Sequence, residues 1–296
     1  MSNRYISHFM QQFPALVLVL YICLLAACTD QEPARPGVLR IGVLPDSAPD
    51  ILKAKYKPLV DYLQGETGIP SKLIIPADYE ELLTMFHNQA IDLAFFGGYT
   101  YVIAHERDHA VPLAMRDVDL QLTSQFLVRA DNPATSLEDL KGKRFAFGSD
   151  LSTSGHLMPR YFLRERGIVP EKFFSETLYS GAHDRTAYWV RDGKIDAGVA
   201  NSKIIRNMFA DGKLDEHDIR ILWETPPYSD YVWATQINID PVLRQQILDS
   251  LLSLSIDNPK QRPMLEAMNV QRIFLPALDK DFTVTREAIK LVNNIQ

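Results

Sequence analysis

Residues 143–166 read KRFAFGSDLSTSGHLMPRYFLRER, and their reading decides the fold. Residues 143–148 have the apolar enrichment of a buried strand, and residues 156–166 are spaced as a helix. Between them lies Ser149-Asp150-Leu151-Ser152-Thr153-Ser154-Gly155. A strand that turns directly into a helix is the repeating unit of an α/β sheet. The start of a helix leaves N–H groups without partners and carries partial positive charge. The hydroxyls of Ser152, Thr153 and Ser154 add donors there, a combination suited to a phosphate-like anion. The plainer alternative is that Ser152 or Ser154 caps the helix. No Gly-x-x-x-x-Gly-Lys loop accompanies the stretch.

The alternation continues on both sides. Upstream, residues 38–44, 72–75 and 91–96 read as strands. They are separated by a helix with Pro58 in its first turn and by a helix over 79–89. A further helix follows at 99–107. A second series opens with a strand at 122–129. It continues past the serine-rich loop with strands at 177–179, 195–200 and 220–223 and helices at 183–191 and 203–210. Residues 231–236 run extended, and 241–256, 260–268 and 285–293 are helical. Ligands of open α/β sheets bind beyond the C-terminal ends of strands. Polar clusters occupy five such ends: Asp46, residues 97–101 with Tyr101, the Ser152–Ser154 loop, residues 181–184 with His183, and Asn201-Ser202. Singly, each has an ordinary role as a turn former, a packed aromatic or a cap.

The chain has 296 residues, room for two domains, and 46% apolar residues support a sizeable core. Arg4 and His8 precede an apolar run, 13–27, that ends Leu25-Ala26-Ala27-Cys28. This reads as a signal peptide over 1–27. The small residues before Cys28 resemble a bacterial lipobox. They imply a lipidated Cys28, a tether over 28–37 and an extracytoplasmic protein held to a bacterial membrane. Cys23 lies in the removed segment, so no disulfide framework and no thiol catalyst are expected. Of the 31 Lys and Arg, only Arg4 is removed with that segment, and no acid. The mature chain thus sets 30 bases against 37 acids, a formal charge of −7. An acidic chain without a basic run does not suit nucleic acid, and any anion must be held by a local site. Metal and hydrolase signatures such as His-Glu-x-x-His and Gly-x-Ser-x-Gly are absent, and no cofactor or metal is expected.

Several runs together resemble one family. They are the lipobox, Pro76-Ala77-Asp78-Tyr79, the run Gly97-Gly98-Tyr99-Thr100-Tyr101-Val102-Ile103-Ala104, Ser152-Thr153-Ser154-Gly155 with Pro159, and Gly181-Ala182-His183-Asp184. They are similar to the phosphate/phosphite/phosphonate substrate-binding proteins of ABC transporters, in order from about residue 39 to 233. The resemblance implies a two-lobed α/β, type II periplasmic binding fold with a ligand cleft between lobes and two crossover strands near 127–130 and 230–234. Lobe 1 would be 38–128 plus 232–296, and lobe 2 would be 129–231. Tyr79 and Tyr101 would close over the anion, while Ser152, Thr153, Ser154 and His183 hold its oxygens. Where aminophosphonate binders use acids to meet an ammonium group, this chain has Asp230 at one position and Lys203 at the other. A hydroxyl-bearing family aromatic is Phe96 here, and the family proline is Gly98, a change expected to loosen that loop. Asp46 and Asn201 complete the candidate set.

The resemblance implies a lipid-anchored, monomeric, non-enzymatic binder. It would deliver a small phosphorus oxyanion to an inner-membrane permease and its ATPase. One alternative is a sensory lipoprotein that presents the same closed form to a membrane sensor kinase. Another is an enzyme acting on a phosphorylated small molecule with His183 and Asp184 as an acid–base pair. Adjacent helical residues point apart, which disfavours that pair.

Overall fold

Two mixed β-sheets organise residues 36–293, the part of the chain that the computed structural model describes. The signal segment, Cys28 and most of the tether lie outside the described residues.

The first sheet opens with β1 (Leu39–Val43), α1 (Pro49–Thr67), β2 (Ser71–Ile74), α2 (Tyr79–His87), β3 (Leu93–Phe96), α3 (Gly98–Asp108) and β4 (Val111–Arg116). A 3-10 turn, Asp117–Gln121, carries the chain to the second sheet. There it forms β5 (Ser124–Arg129), β6 (Arg144–Phe147), α4 (Met158–Glu165), α5 (Pro170–Phe173), β7 (Glu176–Tyr179), α6 (His183–Arg191), β8 (Ala197–Asn201), α7 (Ser202–Ala210) and β9 (Ile219–Glu224). The chain then returns to the first sheet as β10 (Val232–Thr235). It ends with α8 (Pro241–Leu252), α9 (Arg262–Ala267), β11 (Phe274–Pro276) and α10 (Thr283–Asn293).

Strand order is β11-β4-β10-β3-β1-β2 in one sheet and β7-β6-β8-β5-β9 in the other. In each, three neighbouring strands run parallel (β2, β1, β3 and β7, β6, β8) and the strand arriving from the other sheet pairs antiparallel. The parallel strands are joined through helices, so their C-terminal ends carry the loops that face the cleft. One apolar core surrounds the first sheet, and two smaller ones contain residues of the second.

Four local readings change. The first helix does not begin at Pro58. It begins at Pro49, runs through Pro58 and stops at the left-handed Gly68 (φ 67°). An internal proline costs about 3 kcal/mol. Burial of Leu52, Tyr56, Leu59, Val60 and Leu63 on one stripe, at about 1.5–3 kcal/mol for each large apolar side chain, outweighs it. Strand β4 was not read from sequence because Pro112 interrupts it; β10 takes up the irregularity as a register shift between Trp233 and Ala234. Strand β5, expected to straddle the lobe boundary, pairs entirely within the second sheet. Finally, the helix after the serine-rich loop opens with a π-turn, Thr153–Leu157, before α4 begins.

Candidate functional site

Strand-end loops of the two sheets meet through direct hydrogen bonds. Thr153 Oγ1 accepts the Tyr99 N–H at 2.9 Å, and the His183 N–H reaches the Asp46 carbonyl at 3.3 Å. Asp230 Oδ1 accepts the Gly98 N–H at 2.9 Å. That last bond corrects the reading of Gly98 as a loosening substitution. The glycine supplies an N–H that proline lacks, and it ties its loop to Asp230.

Gly155 sets how tightly the serine loop can close. A Cβ there would lie 2.9 Å from His183 Cε1, 3.0 Å from Ser152 Oγ and 3.1 Å from Gly148 Cα. With no side chain at 155, the Gly148 N–H bonds the Gly155 carbonyl at 2.8 Å, and the His183 ring lies against the loop.

Inside this junction a relay runs from one sheet to the other. The Tyr231 hydroxyl donates to Asp46 Oδ2 at 2.7 Å, and Asn201 Nδ2 donates to Ser154 Oγ at 3.2 Å and more weakly to Tyr231 at 3.5 Å. Ser154 Oγ is an acceptor in this relay, so its own proton is available. His183 Nδ1 accepts the Asn201 N–H at 3.2 Å, which places the ring proton on Nε2. Burial lowers the pKa of His183, with Asp46 and Asp184 opposing, and so favours the neutral ring.

Four polar atoms of this region are buried and without a partner: His183 Nε2, the Tyr79 hydroxyl, Asp46 Oδ1 and Asp230 Oδ2. Buried polar groups are normally paired, so each of the four calls for an explanation. Two are donors and two are carboxylate oxygens. Tyr79 is raised well above the usual phenol value, by burial first and then by the Asp46 charge. Ser152 lies close enough to pull the other way, yet forms no hydrogen bond with it. Asp230 is pushed up to about 7, chiefly by burial, against the Gly98 N–H and the hydroxyls of Thr153 and Ser154. Neither hydroxyl reaches Oδ2 with hydrogen-bond geometry. The nearby cations are Arg116, locked on Asp119 at 2.5 Å, and Lys55. Lys55 is half-buried as a residue, but its ammonium is enclosed, which lowers its pKa to about 8 against the pull of Asp46.

The expected residues divide. Asp46, Tyr79, Thr153, Ser154, His183, Asn201 and Asp230 come together. Ser152 takes the plainer role, its Oγ capping the Gly155 N–H at 2.9 Å. Tyr101 is not brought to the cluster. Its hydroxyl donates to Asp279 at 2.9 Å and its ring packs on Phe282 at 4.5 Å. Lys203 also lies apart, lining a surface depression with Arg206, Asn207 and Gln271. Phe96 is fully buried in the first core. Sequence reasoning missed Tyr231 and Tyr56 and gave Ser202 only as part of a strand-end cluster; the hydroxyls of Tyr56 and Ser202 are likewise buried and unpaired. Tyr231 stood in plain view beside Asp230, but its extended segment was read only as a crossover.

Comparison with known proteins agrees with this geometry. Residues 41–282 match the family described as ABC transporter, phosphonate, periplasmic substrate-binding protein. The chain is 29% identical over 275 residues to a probable ABC-transporter phosphite-binding protein of Prochlorococcus marinus, covering 89% of this chain and 92% of that protein. It is 27% identical to a phosphate-import protein of Mycolicibacterium smegmatis, covering 74% of this chain and 71% of that one. The structure of the Prochlorococcus protein in complex with methylphosphonate superposes with a TM-score of 0.83, covering 88% of this chain and all of that one.

Proposed function

The chain belongs to the periplasmic phosphonate-binding proteins of ABC transporters, and we propose that it captures a small phosphorus oxyanion that still carries a proton, such as hydrogen phosphite or the methylphosphonate monoanion. The observation that carries this reading is the set of four unpaired buried atoms. His183 Nε2–H and the Tyr79 hydroxyl, with the free proton of Ser154, are donors suited to P–O⁻ oxygens. Asp46 Oδ1 and Asp230 Oδ2 can only accept while ionised. Against a fully deprotonated tetrahedral anion they would repel; the single P–OH of a monoanion gives one of them a hydrogen bond to accept, and Asp230, pushed up to about 7, can carry a proton of its own toward a P–O⁻ oxygen. Proteins similar to this chain are named for phosphite and phosphate, and one was crystallised with methylphosphonate. All three ligands share the tetrahedral phosphorus that the donors and acceptors fit.

The two sheets are the cores of the two lobes, and 117–123 and 225–231 are the connections about which they move. Closure around the ligand gives the form that a permease and its ATPase accept, with no turnover of the ligand. His183 and Asp184 do not form an acid–base pair: Asp184 accepts from the Ala48 and Arg185 N–H groups instead. Cys28 anchors the mature chain to the membrane, so Cys28→Ser should move the protein from the membrane to the soluble fraction.

Calorimetric titration with phosphite, methylphosphonate, phosphate, aminoethylphosphonate and sulfate tests the ligand assignment. Phosphite or methylphosphonate should bind tightest and sulfate, which offers no proton at neutral pH, should bind at least about 100-fold more weakly. Sulfate binding as tight as phosphite would overturn it.

A further inference from the structure

The first turn of α6 holds two adjacent residues that face different ways. His183 keeps its Nε2 buried and without a partner. Asp184 reaches across the cleft, where its Oδ2 accepts the Ala48 N–H at 3.2 Å. Ala48 is the N-cap of the 19-residue α1 and makes no side-chain cap hydrogen bond. Alanine is among the poorest residues for that position. In a capping box the third helical residue takes the N-cap N–H, but here that residue is Ile51, which has no acceptor. Pro49 adds no donor and Asp50 lends charge to the first turn, but no side chain of the helix caps it, so the N-cap N–H takes its acceptor from outside the helix. What arrives is a carboxylate from the opposite lobe, the charge that a helix N-terminus favours. The same rim holds a second bridge, Asn207 Nδ2 to Asn269 Oδ1 at 2.9 Å. Both bridges border one groove of about 490 Å³ between the lobes.

We propose that Asp184 is an interlobe latch. It completes the N-terminus of α1 only when the lobes close, and so sets ligand affinity without touching the ligand. It is a positioning residue: its adjacency to His183 couples the helix start that reads the oxyanion to the contact that holds the lobes shut. A binder that spends part of its time open loses affinity in proportion to its closed fraction. Weakening the latch lowers that fraction and speeds ligand release. The inference rests on the closure reading given above.

The test uses both partners of the bond. Ala48 is exposed and has φ −56°, an angle that proline adopts, so Ala48→Pro removes the N–H without straining φ at that position. Asp184→Ala removes the acceptor, and Asp184→Asn keeps one. Ala48→Pro and Asp184→Ala should each weaken methylphosphonate binding about three- to tenfold, mainly through faster dissociation. The melting temperature of the ligand-bound protein should fall by more than that of the ligand-free protein, whereas a merely structural role would lower both equally. The double variant should be no weaker than either single variant, and Asp184→Asn should keep most of the affinity. Wild-type affinity in both single variants, or losses that add in the double variant, would overturn the latch. If the wild-type protein binds none of the phosphorus ligands, the ligand assignment fails instead. Small-angle scattering of the ligand-free proteins then decides the latch: a larger radius for Ala48→Pro supports it, and equal radii refute it.

Discussion

Asp230 has the most measurable consequences among single side chains. Its folded pKa of about 7 lies above the value of about 3.9 for an unfolded aspartate. Folded protein therefore keeps a proton that the unfolded chain releases between about pH 4 and pH 7. Stability falls as pH rises through that window and levels off above it. A shift of about three units corresponds to about 4 kcal/mol, an upper bound for the change. Asp230→Asn keeps the Gly98 contact through its amide oxygen and removes the titration. Urea unfolding at pH 5 and pH 8 should show a flatter pH dependence in that variant; an unchanged slope would assign the titration to another group. His183→Ala and Ser154→Ala each delete a donor of the proposed oxyanion site, and calorimetry should show at least about tenfold weaker binding in either. Both residues were legible from the motif around them. Tyr79 was legible as well, whereas Tyr101 was misplaced because the same helix turn also offers a core position. The chain fills that position with the Tyr101 ring against Phe282 and ties its hydroxyl to Asp279.

Among the elements, the two glycine loops make the site. Gly97 has an extended backbone (φ −77°, ψ 163°) that tolerates a following proline, and Gly98 opens α3, where proline is well placed. Gly98→Pro should therefore fold, yet leave Asp230 Oδ1 without its donor. Asp230 should then titrate higher still, and phosphite affinity should drop about tenfold or more. A variant with wild-type binding would show that the Gly98–Asp230 bond is incidental. Gly155→Ala puts a Cβ within 2.9 Å of the His183 ring. Thermal melts should register a loss of about 1–3 kcal/mol, together with weaker binding. Most elements could be read from apolar periodicity alone. The failures have a common cause: α1 runs through Pro58 and β4 holds Pro112, so tertiary packing overruled a residue that local rules take as a stop. The identity of the serine loop was readable, but its internal division was not. Only the packed structure shows Ser152 bound to its own turn while Thr153 and Ser154 bond to other loops.

For the whole molecule, the alternation of strands and helices and the five polar strand ends gave the two-sheet architecture and the position of the cleft. What the sequence could not show is the balance of charge inside it. Two ionisable carboxylates, Asp46 and Asp230, sit beside donors suited to an anion, and nothing in residue order reveals that both keep a buried oxygen without a partner. That balance makes the bound proton the centre of the account. Calorimetry with phosphite at pH 8, in buffers of different ionisation enthalpy, counts it. Uptake of at least about one proton for each ligand bound is expected, since the proton on the ligand, and any that Asp230 gains beside it, must come from solvent. Binding with no proton uptake, and with sulfate as tight as phosphite, would contradict it.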